Sequence, residues 1–166
     1  MHEKIAFCGY ILEVIKSKVL VKKYLQNFIS LLNVTLNKLT ELMEFDIKVI
    51  VLELKGKLSF KFIVNDEETN LSNLSSGEKA RVSLIVLFSM LETLQTLVGI
   101  KFNILALDEI LGVLDKSGVE VLKKLLTHYK TKYTIFLIQH HEEIPKEFFD
   151  DTLELHKVNG ITHLKE

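Results

Sequence analysis

The chain has 166 residues, enough for one ordinary domain built on one core. Lysine and arginine number 21 against 22 acidic residues, and the resulting charge of -1 excludes global attraction to nucleic acid or anionic membrane, so a DNA contact has to be a local patch. The single cysteine, Cys8, excludes an internal disulfide and a cysteine metal cluster, which suits a reducing, cytoplasmic setting.

Residues 5–12 are apolar, but the run is short and Glu13, Lys16 and Lys18 follow, so it is neither a signal-peptide core nor a spanning helix. A soluble protein with no membrane partner is expected. An apolar share of 48% suits a face that another polypeptide covers. A first helix is predicted over residues 4–21, separated or bent away by Lys18, Lys22 and Lys23. Over residues 23–44, Leu25, Ile29, Leu32, Leu36, Leu39 and Met43 recur in steps of four and three. That heptad seam predicts either the end of a coiled coil or a helix packed on its own domain, with a division at residue 45.

From Phe45 the period becomes two. Ile47, Val49, Val51 and Leu54, then Leu58, Phe60, Phe62 and Val64, predict a hairpin around Lys55-Gly56-Lys57. A polar segment over residues 65–76 leads into residues 78–98, apolar almost all round, which predicts a buried helix capped by Ser75 or Ser76. Ile104 to Leu107 is a short apolar run ending in acid, expected as a strand buried on both faces of a parallel sheet. A helix over 116–129, a second buried strand over 133–138, and a closing hairpin of 152–155 with 161–164 turned at Asn159-Gly160 complete the order.

Four short elements carry chemistry. Leu74-Ser75-Ser76-Gly77-Glu78 opens the buried helix with small residues, where free backbone N–H groups and the helix dipole favour phosphate; a plain N-cap explains it equally. Asp108 and Glu109 end an apolar strand at the sheet's carboxyl edge, where open α/β sheets bind ligands. There Asp108 is suited to magnesium, directly or through water, and Glu109 to orienting an attacking water; two solvated acids are the alternative. Leu111-Gly112-Val113-Leu114-Asp115 forms a tight turn whose Asp115 also suits a helix N-cap. His140 and His141 follow the second strand beside the same edge, where one is suited to donate to a phosphate; structural or solvent-facing histidines are the alternative.

In this order the elements resemble the C-terminal half of an ABC-type ATPase head, an α/β lobe of mostly parallel sheet flanked by helices, with hairpins and a coiled-coil end at its N-terminus. The signature motif falls on Leu74 to Glu78, the Walker B strand on Ile104 to Glu109, the D-loop on Leu111 to Asp115 and the H-loop on His140. Ser75 to Asp108 spans 33 positions and Asp108 to His140 spans 32, similar to the structural-maintenance-of-chromosomes (SMC) superfamily. The glutamate ending the signature, the preceding heptad helix and the run His140 to Ile144 look like the break-repair branch, the Rad-fifty family. Lys23-Tyr24-Leu25 through Leu31-Leu32-Asn33 is similar to its bacteriophage members, the large subunits of recombination endonucleases.

The resemblance implies an ATP-gated DNA-repair clamp in which two heads sandwich two nucleotides and each signature contacts the γ-phosphate held by the other head. It implies phosphate contacts from Ser75, Ser76, Gly77 and Glu78, a dimer contact at the nucleotide from Asp115, Mg2+ at Asp108, and catalytic roles for Glu109 and His140. The implied partners are an N-terminal lobe with a Walker A loop, a second head, an Mre-type nuclease and double-stranded DNA. The implied setting is the host cytoplasm, near the nucleoid. Ser76 stands where the family usually has glycine, Gln139 replaces the usual Ser or Thr, and His141 leaves the choice of sensor open. No Gly-x-x-x-x-Gly-Lys-Ser/Thr loop occurs: Gly56-Lys57-Leu58-Ser59 has Val51 where the leading glycine belongs. The chain thus resembles the segment after the coil, expected to bind nucleotide poorly by itself. A transporter-type ABC fragment and a non-catalytic docking module are the competing readings. Lys55, Lys57, Lys61, Lys79 and Arg81 are candidate DNA-backbone contacts, with a solvated face as the alternative.

Overall fold

A computed structural model describes residues 19–54, 56–140 and 144–165. The heptad seam forms one helix, α1 (Val19–Leu42). Residues 4–18 of the expected first helix lie outside the described residues, while 19–21 belong to α1 without a break. The seam faces inward from Ile29 on: Leu32, Leu36 and Leu39 are fully buried, whereas Val19, Val21 and Tyr24 are exposed. The same helix is thus a core element over its second half and exposed at its start, with Leu25 and Phe28 partly buried between the two.

The hairpin forms as the alternation predicts, β1 (Ile47–Leu54) against β2 (Lys57–Val64), with Leu54 opposite Lys57 and Gly56 at φ 76° in the turn. Ile47, Val49 and Val51 point into the core. The outer edge of β1 is closed by a side chain. Asn33 of α1 donates from Nδ2 to the Val51 carbonyl and accepts from the Val51 amide, each at 2.8 Å, and so satisfies a buried edge residue on both sides. The segment 65–76 is more ordered than its polarity suggests. Asn65 and Asp66, at φ 51° and 65°, make a two-residue turn of the kind hairpins favour, and a third strand, β3 (Glu67–Thr69), pairs back on β2.

Helix α2 (Ser76–Val98) begins at Ser75, its N-cap, and ends at Gly99, whose φ of 71° gives the left-handed C-cap. By length and composition it is apolar enough to cross a bilayer. Here one face supplies core: Val82, Leu84, Ile85 and Phe88 pack between α1 and α3 (Lys116–Tyr129), and Phe88 stacks on Tyr129 with centroids 4.9 Å apart. The other face is open, with Leu87, Leu94 and Leu97 exposed, so the expectation of a helix buried all round is corrected.

Strands β4 (Ile104–Asp108) and β5 (Thr134–Ile138) pair in parallel through the α3 crossover. Their register puts Leu105, Leu107, Ile135 and Leu137 on the face toward the helices. The opposite face carries Ile104, Ala106, Thr134, Phe136 and Ile138, and all five are exposed. Burial on both faces, as the continuous apolar runs imply, is therefore not achieved among the described residues. The closing hairpin is β6 (Leu155–Val158) with β7 (Ile161–Leu164), turned at Asn159 and Gly160 at φ 50° and 85°, a few residues later on its first side than the alternation suggested.

Candidate functional site

Two groups of the predicted residues converge. The first is at the carboxyl edge of β4 and β5. Asp108 ends β4, and the Glu109 amide donates to the Ile138 carbonyl at 3.1 Å, extending the ladder by one rung. Glu109 has φ 51°, a left-handed conformation that costs a non-glycine residue about 1 kcal/mol or more and is held only where the surroundings enforce it. The turn throws the chain into the short 3₁₀ segment Ile110–Val113, anchored by the buried Leu111. It also aims the glutamate across the edge, where Glu109 Oε1 and His140 Nε2 lie 2.7 Å apart. An ionised carboxylate can only accept, so Nε2 carries the proton in this contact. Both side chains are solvent-exposed. Among the described residues nothing bonds the Asp108 carboxylate, whose open lone pairs and position suit a magnesium ion held by one carboxylate and substrate phosphates. His141 lies outside the described residues.

The second group is the start of α2. Ser75 accepts from the Glu78 amide at 3.2 Å while Glu78 Oε2 accepts from the Ser75 amide at 2.7 Å, a complete capping box. Hydrogen bonds from the Ser75 amide and then its hydroxyl hold the Glu78 carboxyl below its ordinary pKa. Leu74 and Gly77 are buried, which fixes the turn, while Ser75 and Ser76 face solvent. Asp115 caps α3 by accepting from the Gly118 amide at 2.7 Å.

The two motifs meet at Gly77. A Cβ built there would stand 2.2 Å from Asp115 Oδ2, so the absence of a side chain is required by the Asp115 carboxylate of the same chain. Sequence reasoning assigns Gly77 to phosphate and Asp115 to a dimer contact, and no local pattern reveals that the two touch each other. An open groove of about 360 Å³ runs between the motifs, lined by Ser76, Lys79, Ser83, Ile110, Val113 and Leu114. No hydrogen bond or ion pair among the described residues joins the Ser75–Asp115 group to the Glu109–His140 group.

The candidate DNA contacts have local partners in three cases. Lys61 pairs with Glu68 at 2.8 Å, Lys79 reaches the Ser72 carbonyl at 3.4 Å, and Arg81 bonds the Gly77 carbonyl at 3.4 Å beside the Phe45 ring. Lys55 lies outside the described residues.

No family model matches the chain. In sequence it is similar to exonuclease subunit 2 of Escherichia phage RB69 and of Enterobacteria phage T4. Each is 25% identical over 155 residues, covering 93% of this chain and 27% of the relative. The chain thus spans about a quarter of the length of these curated relatives. In structure it is similar to an SMC ATPase studied for ATP-driven dimerisation, with TM-score 0.71 and 13% identity over 87% of both chains. The Thermotoga maritima SMC head domain matches with TM-score 0.57 and 24% identity over 81% of this chain and 46% of that one. An Smc head with extended coiled coil from Pyrococcus furiosus, bound to the C-terminal domain of ScpA, matches with TM-score 0.66 and 16% identity over 99% and 40%. Sequence and fold agree: the chain has the fold of part of an SMC ATPase head and is similar in sequence to part of the phage exonuclease subunits.

Proposed function

We propose that this lobe supplies half of a composite ATP site in a nuclease-associated ATPase acting on DNA. The observation that carries the reading is the Glu109–His140 contact, a strained glutamate and a histidine from two different strand ends held 2.7 Å apart beside an unbonded Asp108. Phosphoryl transfer to water needs charge and positioning more than covalent chemistry. Glu109 would orient and polarise the water, and His140 would hold Glu109 through its Nε2–H until nucleotide binds and then turn that N–H to the γ-phosphate. Asp108 would hold Mg2+, which neutralises phosphate charge when bound. Ser75, Ser76 and Gly77 would meet the nucleotide of a second head, with Glu78 fixing their turn and Asp115 bracing Gly77. That no hydrogen bond or ion pair among the described residues joins the two groups suits motifs that serve different nucleotides.

A lobe of this kind lacks a phosphate loop, and the exposed sheet face supports a partner lobe that carries one. Ile104, Phe136 and Ile138 are 60%, 52% and 49% exposed in strands whose composition calls for cover on both sides. Residues 1–44 would lead from a coiled coil, and the name borne by the phage relatives suggests a nuclease subunit as a further partner. Lys61, Lys79 and Arg81 already have partners within the chain, which favours a solvated face over DNA contact for these three.

The test is ATP hydrolysis by the chain alone and after mixing with an N-terminal lobe bearing the phosphate loop. Activity in the mixture, reduced at least 100-fold by Glu109→Gln, is the expected result. Lack of turnover from an assembled, DNA-supplied complex would leave a docking module as the function.

A further inference from the structure

The terminal hairpin holds a pair of groups that the ATPase reading does not use. His156 and His163 are direct cross-strand partners in the β6–β7 ladder, and their rings lie on the same face with centroids 5.8 Å apart and planes tilted by 32°. Every residue of both strands is exposed. A two-stranded hairpin with no buried face is marginally stable in water, so this one depends on its turn and on cross-strand pairs. Asn159-Gly160 provides the turn. The pairs differ in kind: Leu155 with Leu164 on one face, and His156 with His163 followed by Val158 with Ile161 on the other.

From this juxtaposition we infer that His156 and His163 form a two-imidazole site for a divalent transition metal ion, zinc, copper or nickel, which staples β6 to β7. Imidazole nitrogens bind such ions at about 2.0–2.1 Å, which sets the centres of two rings sharing one ion roughly 5–6 Å apart. The observed 5.8 Å falls in that range with the strand register already fixed. Solvent completes the coordination. The nearest acid on that face, Glu154, is engaged by both Lys146 and Lys165, the latter at 2.7 Å, and no third donor joins the histidines among the described residues. The site therefore selects ions that favour nitrogen ligands over magnesium or calcium, which seek oxygen. Acid weakens it, because protons compete for the same nitrogens. Binding to the folded hairpin alone stabilises it by mass action.

The experiment uses the untagged full chain, titrated with zinc chloride and watched through the imidazole nitrogen resonances and by calorimetry. One ion per chain is expected, with His156 and His163 shifting together and slower amide exchange over Leu155–Val158. His156→Gln and His163→Gln should each lower affinity about tenfold or more, and the double variant should lose the site; magnesium chloride should move neither ring. Both positions are exposed, so these variants leave the packed core untouched. The inference is overturned if the two rings stay unmoved at saturating zinc, if the double variant binds as well as the parent, or if one ion bridges two chains.

Discussion

The two faces of the β4–β5 pair are built from the same kinds of residue and meet opposite fates. Toward the helices, Leu107 is 5% exposed and rests on a core that includes Phe88, Leu122 and Tyr129; away from them, Phe136 is half in water. Composition did not decide this, because both faces are apolar. What decided it is that, among the described residues, the core that includes Phe88, Leu122 and Tyr129 packs on one side of the sheet, so one layer interface is complete and the other is open. Stability should reside on the packed side, and the open side should matter only once another polypeptide covers it.

The sharpest way to break that contrast is a pair of aromatic truncations. Phe88→Ala, at a site 1% exposed and stacked on Tyr129, is expected to cost about 3–5 kcal/mol in chemical denaturation, enough to unfold a marginal domain. Phe136→Ala should cost less than about 0.5 kcal/mol in the isolated chain. Its effect should appear as weakened association with an N-terminal lobe, read by calorimetry. Equal losses of stability from the two would mean that the open face is already covered, by residues outside those described or by a second copy.

A smaller effect tests the packed side at its polar seam. Asn33→Leu keeps the bulk but strands the amide and carbonyl of Val51, a fully buried residue, and should cost about 1–3 kcal/mol in denaturant midpoint. No such loss should follow substitution of Asn37 on the exposed side of the same helix. Next comes the contact that links the two motifs. Gly77→Ala places a methyl on the Asp115 carboxylate and is expected to destabilise by about 1–3 kcal/mol, since neighbours have to shift. Shortening the acid in Gly77→Ala/Asp115→Ser should restore part of it while keeping an N-cap. If the double variant loses as much stability as the two single variants summed, the two motifs are not braced against each other.

These sites also mark what could be read from the residues alone. The helices, the first hairpin and the parallel strands followed from period, because heptad spacing in α1 and alternation in β1 and β2 are local properties. The Ser75 cap and the Asp115 cap followed from residue type. The third strand has no apolar alternation to mark it, since 65–76 is polar, although Asn65-Asp66 suits its turn. Other features had no local signal. Gly77 against Asp115 and Asn33 against Val51 join residues far apart in sequence, and only the assembled fold brings them together, whereas Glu109 and His140 are already expected at one sheet edge and the fold adds their direct contact. The open face was misread for a different reason. An apolar strand signals that it will be buried on both sides, and says nothing about which chain does the burying.

The smallest expected effect lies where the packed side meets solvent. Glu92 of α2 sits between Lys38 of α1, at 3.6 Å, and Lys132 just before β5, at 3.3 Å, so one carboxylate ties the seam helix to the strand that leads to His140. Burial opposes its ionisation, but Lys132 and Lys38 outweigh that and hold its pKa below the ordinary glutamate value. A carboxyl whose pKa is lower folded than unfolded contributes stability that is fully present above the unfolded value, about 4.3, and is lost as pH falls through the folded one. Glu92→Gln should therefore lower stability at neutral pH by no more than about 1 kcal/mol, because both lysines are half-exposed and screened. The deficit should hold constant down to about pH 5 and close below about pH 4, where parent and variant carry the same charge at this position. A deficit that persists unchanged at pH 3 would show that Glu92 acts by shape in the α1–α2 packing, and that the link from seam to strand is not electrostatic.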